Sequence, residues 1–340
     1  MAKKRPRLSR EGSVVAVDVD RSGGPWDALS SELVGEIASH LPGDEVARSV
    51  AFVCKSWAEA VAGPYCWSVI DINKWCRRCD RFDVINFVVR KLIRRAGAAV
   101  RRLAVFKLDD SALSFVASCG KFLKVLNTPM GEISDVMVEK YAGAFTALTV
   151  LDISFCLKIT SKGIETIGRQ CRCLVHLKRN MPMPPYDHDR QDRVASVDES
   201  EALAIAGAMP GLSYLGVAYG RFSDYGLHAI ITNCKDLVYL DIEGCMNLKM
   251  DNGMEEECER IKFLMGPWVD YVYEMRQSEV KQVKEKDHFE DDRGDGEVDQ
   301  FEEWIWDEAH PLQNGGADLE NAIDIFSDDV IEIPSDDSDS

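Results

Sequence analysis

Leu148-Thr149-Val150-Leu151-Asp152-Ile153-Ser154-Phe155-Cys156 is the stretch that decides the fold, because much of the chain repeats it. Its opening, an apolar residue followed three positions later by leucine, recurs along the chain in the series Val100/Leu103, Leu123/Leu126, Leu148/Leu151, Leu174/Leu177, Leu212/Leu215 and Leu237/Leu240. The second leucines of successive copies lie 23, 25, 26, 38 and 25 residues apart. Between them a second element recurs, as Ser134-Asp135-Val136-Met137-Val138, Thr160-Ser161-Lys162-Gly163-Ile164 and Ser223-Asp224-Tyr225-Gly226-Leu227, each ending ten residues before the next copy's first leucine. A doubled period of this kind marks stacked repeats. Each unit reads as a short strand, a turn with a capping Ser or Thr, and a helix of two to three turns. One unit cannot bury its apolar face, but stacked units share a continuous core and form a curved α/β solenoid. Strand alternation sends a second set of side chains to the concave surface. That set is Arg102, Phe106, Asp152, His176, Lys178, Tyr214, Tyr239, Asp241 and Glu243, the expected partner-facing residues.

The 38-residue interval is about a dozen residues longer than its neighbours and holds Arg179-Asn180-Met181-Pro182-Met183-Pro184-Pro185-Tyr186 and a polar run to Ser200. It is expected to be an insertion, about 179–200, projecting from one face of the solenoid, as a binding element or as a tolerated loop. After the last leucine, Cys258 to Phe263 is expected to form a capping helix and Gly266 to Tyr273 to close the end. Cys156 and Cys245 fall five residues after a strand leucine, and Cys171 and Cys234 three before the next apolar position, as small residues filling the interior.

The net charge of −18 is not spread over the chain. Residues 279–340 hold 22 Asp/Glu against 4 Lys/Arg, and the remainder holds 36 of each sign. The acidity therefore belongs to a tail, 278–340, whose composition predicts disorder. Residues 1–25 are likewise expected to be disordered, with Lys3, Lys4, Arg5 and Arg7 forming a basic cluster of nuclear-signal type. No membrane span is expected, because no run approaches ~20 apolar residues. The eleven cysteines read as reduced thiols. Cys76 and Cys79 have zinc spacing without a second pair, so no metal is expected. A phosphate-cradling glycine loop and a nucleophile elbow are also missing, so neither an enzyme nor a cofactor is expected, and no direct nucleic-acid contact. The basic stretch from Arg77 to Arg102 reads as a solvated face of an amphipathic helix built on Phe82, Ile85, Val89 and Leu92.

Between Trp26 and Trp67 the apolar pattern is helical. Leu33, Ile37 and Leu41 recur at four-residue steps behind Ser30-Ser31-Glu32, and Pro42-Gly43 ends the run. A second helix is expected after Asp44, with Val46, Val50, Val53, Trp57 and Val61 on one stripe until Gly63-Pro64. The series Leu29, Glu32-Leu33, Ile37, Leu41-Pro42, Val46, Val53-Cys54-Lys55-Ser56-Trp57 and Trp67 resembles the F-box. Ser30 stands where most F-boxes have Pro, loosening the turn before the first helix, and Ala38 stands where Phe is common, removing packing area. The repeats with their cysteines resemble the cysteine-containing class of leucine-rich repeat. The whole arrangement is similar to a plant F-box/LRR subfamily, some of whose members have been called F-box-with-WD40 proteins, although Trp-Asp pairs at blade spacing are missing here.

The resemblance implies a small helical F-box at 26–70, a helical linker or cap at 71–99, and leucine-rich repeats at 100–277. It implies a non-catalytic, substrate-recognising subunit of a Skp1–cullin–F-box ubiquitin ligase, with Leu29, Leu33, Ile37, Leu41, Pro42, Val46, Val53 and Trp57 meeting a Skp1-like adaptor, and through it cullin. The concave set would then meet an unknown protein substrate. The alternative is a nuclear co-regulator or scaffold acting through the acidic-aromatic tail, where Phe301, Trp304, Ile305 and Trp306 lie among acids. In that tail Val330-Ile331-Glu332-Ile333 and Ile323-Asp324-Ile325-Phe326, each followed by acids, resemble SUMO-interacting motifs, which add a strand to a sheet edge. The expected location is nuclear, with a cytoplasmic share. Replacing Lys3, Lys4, Arg5 and Arg7 by alanine is expected to shift the protein towards the cytoplasm, as read by fluorescence imaging; an unchanged distribution rejects the signal. An NMR titration of the 318–340 peptide against SUMO is expected to shift resonances in a manner abolished by changing Ile323, Ile325, Ile331 and Ile333 to alanine.

Overall fold

The structure, a computed structural model, describes residues 24–79, 81–183, 196–251 and 253–267. These lie within the first of the chain's two units, Met1–Gly294; the second, Asp295–Ser340, lies outside the described residues. Three short helices come first: α1 (Ser31–Ala38), α2 (Gly43–Arg48) and α3 (Lys55–Ala62). Strand β1 (Val69–Asp71) follows, then α4 (Asn73–Cys79) and α5 (Phe82–Ala96). From there strands and helices alternate: β2 (Arg102–Ala104), α6 (Asp110–Cys119), β3 (Val125–Asn127), α7 (Asp135–Tyr141), β4 (Val150–Asp152), α8 (Ser161–Gln170) and β5 (His176–Lys178). The series closes with α9 (Ser200–Ala208), β6 (Tyr214–Gly216), α10 (Asp224–Asn233), β7 (Tyr239–Asp241), α11 (Met254–Cys258) and β8 (Phe263–Met265).

The strands form one eight-stranded parallel sheet in sequence order. The register aligns the repeat leucines one on the next, with Ile70 opposite Leu103, Leu177 opposite Leu215 despite the long interval, and Leu240 opposite Leu264. From Ile70 to Leu240 each of these middle residues is at most 4% exposed, so each strand contributes one side chain to the core and two to the other face. The backbone ladder continues beyond the strands, as in Met130 N–H to Ser154 O and Tyr219 N–H to Glu243 O, both 2.8 Å. Four residues after the strand leucine the chain turns through a left-handed conformation, at Lys107, Met130, Phe155, Tyr219 and Gly244. For a residue with a side chain that geometry costs on the order of 1 kcal/mol, offset by the inter-repeat bonds that the turn permits.

Helices are joined to their neighbours by a carboxylate that reaches one repeat onward. Asp110 accepts from the Ser134 amide and hydroxyl (2.7 and 2.8 Å), and Asp135 from the Thr160 amide and hydroxyl (2.8 and 2.5 Å). Glu199 does the same for Ser223, and Asp224 for the amides of Lys249, Met250 and Asp251. The receiving Ser or Thr meanwhile caps its own helix. Asp110, Asp135 and Glu199 thereby satisfy donors that a helix start leaves free, where negative charge suits that end of the helix, while Asp224 gathers the amides of the turn before α11. Here lies the reason for Gly163 and Gly226: a Cβ at either would press into the carboxylate oxygen of Asp135 or Glu199. The cysteines add a second link. Cys156 Sγ donates to Thr128 O at 3.2 Å and Cys245 Sγ to Val217 O at 3.4 Å, again one repeat back. Burial pushes these thiols up to about 11 and about 12.

Helix α8 begins with Ser161 where α6, α7 and α10 carry Asp110, Asp135 and Asp224, so among the described residues its junction with α9 has no carboxylate clasp of this kind. Arg179 spans that junction instead. It donates to Cys156 O (3.0 Å), Ile159 O (2.7 Å) and both oxygens of Glu201 (2.9 and 3.2 Å), while only 2% exposed. Its position, two after the strand leucine, is held by Val105, Thr128, Ile153, Val217 and Ile242 elsewhere. A buried guanidinium is tolerated there because its N–H groups are met by carbonyl and carboxylate acceptors.

Several sequence expectations are corrected. Arg179 belongs to the core rather than to a projecting insertion, and Asn180 accepts from Ala218 N–H at 3.1 Å, so the departure from the repeat begins later than 179. Residues 184–195 lie outside the described set. The sheet begins at β1, about thirty residues before position 100, which sequence reading divided between F-box and linker. The expected capping helix ends at Cys258, and Phe263 opens strand β8, because the amide of Phe263 bonds Val238 O and continues the ladder. The expected second helix is broken into α2, a 3₁₀ turn at Val50–Phe52 and α3, with Cys54 extended ahead of α3.

Gly163→Ala is expected to destabilise the protein by about 1–2 kcal/mol in urea unfolding, by displacing the Asp135 carboxylate. The cost shrinks in an Asp135→Ala background, as the coupling of a double-mutant cycle. Equal costs in the two backgrounds would reject the clasp as the reason for the glycine.

Candidate docking surfaces

Helix α1 has two apolar sides. Val34, Gly35 and Ala38 pack inward, and Gly35 is required where the helix meets the backbone of Tyr65. Leu33 and Ile37 point the other way, 54% and 37% exposed, with Phe52 at 70% and Val53 at 53%. Leu29, Leu41 and Pro42 are half-buried. Val46 and Trp57, also expected at an adaptor contact, are instead core residues at 1% and 7% exposure, and Trp57 Nε1 donates to Trp26 O at 2.9 Å. Three short helices need a core of their own, and these two side chains supply it with Val50, Val61 and Trp67. Phe52 and the exposed Trp26 were missed as surface apolar residues; the break at Val50–Phe52, which turns Phe52 outward, has no marker in the sequence. Ser30 caps α1 through Leu33 N–H, so the turn before α1 is secured without Pro, and Ala38 is fully buried, where it fits against the bundle.

The second surface is the sheet face away from the leucines. Residues preceding the leucines form one column, in which His176, Tyr214 and Tyr239 are register partners. His176 and Tyr214 stack at 3.7 Å between ring centroids, and Tyr214 and Tyr239 at 4.1 Å and 4°. Phe263, not anticipated, extends the column on β8. Residues following the leucines form the other column, holding Asp152, Lys178 and Asp241, and also Asp71 and Asn127. Asp71, Asp152 and Asp241 each accept, through Oδ1, the amide two residues on, a turn that ends the strand. The Lys178 ammonium lies 5.7 Å from the centre of the Tyr214 ring. Burial, the Tyr214 hydroxyl and Asp241 push the Tyr239 phenol up to about 12. Burial foremost, then Lys178, holds the His176 imidazole below its usual range, against the pull of Asp152.

The remaining expected contacts sit elsewhere. Arg102 is exposed on β2, while Phe106 and Glu243 lie in the turns after strands, Phe106 beneath the Arg77 guanidinium at 5.0 Å. The basic stretch is not simply a solvated face. Arg78 pairs with the buried Asp44 at 3.1 Å, Arg90 and Arg94 cover Phe115, and Arg101 covers Phe122. Cys76 is fully buried with its thiol pushed up to about 12, mainly by burial, and no cluster of metal-ligating side chains occurs among the described residues. No helix among them is long and apolar enough to cross a membrane. Lys3 to Arg7, Phe301 to Trp306, and the candidate motifs at Ile323, Ile325, Phe326, Val330, Ile331 and Ile333 lie outside the described residues.

No family model matches the chain. It is 36% identical over 312 residues to F-box protein FBW2 of Arabidopsis thaliana, covering 88% of this chain and 96% of that one. It is also 28% identical to Putative F-box/LRR-repeat protein 23 of the same plant, over 71% of this chain and 53% of the other. The chain belongs to the plant F-box/LRR family. F-box protein SKIP1 of Arabidopsis thaliana is a further relative of the F-box/LRR protein, 28% identical over 80% of the chain and 95% of its own length. Among solved structures, a chain of the yeast Rad7 and Elc1 complex matches at 17% identity and a TM-score of 0.28, over 51% of this chain and 38% of that one, too weak a likeness to carry an argument. F-box proteins are in general substrate adaptors, and the F-box/LRR protein falls in that class.

The imidazole of His176 yields a pH prediction. With its folded pKa below the ordinary value of about 6.5, the unfolded chain takes up the proton first as pH falls. Its contribution is complete above about pH 6.5 and is lost below it. The urea midpoint is therefore expected to drop between about pH 7.5 and 5.5, and to drop less in His176→Phe, which keeps a ring in the stack. Identical pH profiles would reject this account.

Proposed function

We propose that the F-box/LRR protein is the substrate-recognition subunit of a Skp1–cullin–F-box ubiquitin ligase. What carries the reading is the outward apolar face of Leu33, Ile37, Phe52 and Val53 on a helical segment whose core is already complete. An exposed apolar face beside a filled core favours a protein partner. A Skp1-like adaptor covers that face and links the protein to cullin, and the sheet face receives the protein substrate. The chain itself performs no chemistry. It holds substrate lysines near the ubiquitin-charged enzyme, which raises their effective concentration. The basic cluster Lys3–Arg7 directs the protein to the nucleus, and the tail motifs around Ile323 and Ile331 add weak contacts to SUMO.

Leu33→Arg is expected to abolish co-purification of a Skp1-type protein, a loss of at least ~2 kcal/mol, with the unfolding midpoint unchanged because the site is exposed in the free protein. Trp57→Ala by contrast is expected to lower stability by about 3 kcal/mol. A Skp1 pull-down that survives Leu33→Arg removes the adaptor face from this reading.

A further inference from the structure

The aromatic column of the sheet face is bracketed by acids whose bonding is incomplete. Asp152 and Asp241 use Oδ1 in their turns, and Oδ2 of each accepts no hydrogen bond among the described residues. Neither forms an ion pair there, although Lys178 is the register partner of Asp152. The Lys178 ammonium is directed over the Tyr214 ring instead, where Gly216 leaves room beside it. In the neighbouring column, across β5 to β7, lie the rings of His176, Tyr214 and Tyr239, half-buried and stacked face to face. His176 is neutral near pH 7, so the rings add no charge of their own.

Taking the sheet face as the substrate face, as proposed above, we infer that it selects a basic-apolar segment: two Arg or Lys side chains bracketing an apolar side chain. The apolar side chain covers the Tyr214–Tyr239 stack, and the two cations meet Asp152 and Asp241. The spacing follows from the sheet. Strands β4 and β7 are three steps apart at ~4.8 Å each, so the carboxylates are separated by about 14 Å. In an extended peptide rising ~3.4 Å per residue, that distance corresponds to cations four positions apart. An acidic segment would face two unpaired carboxylates, with Lys178 already engaged on Tyr214 and Arg102 at the far end of the sheet.

The test uses the full chain and fluorescence anisotropy with the labelled peptide Gly-Ser-Arg-Leu-Trp-Leu-Arg-Ser-Gly and its counterpart with Glu at both Arg positions. The Arg peptide is expected to bind roughly tenfold tighter, as two partly exposed charge pairs supply. The Asp152→Asn/Asp241→Asn variant, checked for an unchanged unfolding midpoint, is expected to bring the two peptides within about twofold. The acidic tail attracts cations as well, so a preference that survives the double substitution overturns the inference. Equal binding, a preference for the Glu peptide, or binding of neither overturns it too. Tyr239→Ala separates the two readings. If the Arg peptide binds and ignores Tyr239, the sheet face is not the substrate face and the proposed function loses that element. If binding depends on Tyr239 but not on the acids, only the charge assignment fails.

Discussion

The parallel in-register ladder is the interaction on which everything else depends. Each three-residue strand has too few hydrogen bonds to stand alone, and each helix between strands is too short to be stable in water. Setting Leu103 against Leu126 against Leu151 lets one register serve the backbone bonds, the core and the outer columns together. Once that register is set, a slip of one residue would exchange core and surface along the whole sheet. The carboxylate clasps and the thiol-to-carbonyl links do not create this register. They tie the helix ends and turns to it, one repeat at a time.

The same ladder explains where the chain accepts strain. Lys107, Met130, Phe155 and Tyr219 take positive φ because the turn there must both leave the sheet and offer its amide to the next repeat. Arg179 is a comparable accommodation in the core. Helix α8 carries Ser161 where α6, α7 and α10 carry an acid, and a guanidinium with three carbonyls and Glu201 around it bridges α8's turn to α9 instead. Neither feature is a site by itself. Both are features of the described repeats that serve the continuity of the sheet.

Function follows from a division of surfaces. The α1–α3 segment closes its own core with Val46, Trp57 and Trp67 and leaves Leu33, Ile37, Phe52 and Val53 outside. The repeats close theirs with the leucines and leave two columns outside, one aromatic and one polar. A family of substrate adaptors needs two such surfaces on one chain. The apolar one is suited to a fixed partner, and the sheet face, with rings in one column and the carboxylates of Asp152 and Asp241 in the other, is suited to selection among segments.

The repeat period was legible in residues alone, because stacking forces leucine, cap and cysteine to recur at fixed distances. The F-box segment was legible from its Val-Cys-Lys-x-Trp run, and the columns that hold His176, Tyr214 and Tyr239 followed from strand parity. What periodicity could not decide was which side of an apolar helix is covered. Leu33/Ile37 and Val34/Ala38 are both apolar stripes of α1, and only packing against Tyr65 and α3 makes the second the buried one. Nor did it reach β1 and β8: at β1 isoleucine stands in place of the strand leucine, Ile261/Leu264 follows a segment read as a cap, and both become strands because a neighbouring ladder offers them bonds. Arg179 read as part of a polar insertion for the same reason. Its charge predicts solvent, and only the convergence of carbonyls from residues 153, 156 and 159 with Glu201 makes burial the lower-energy place for it.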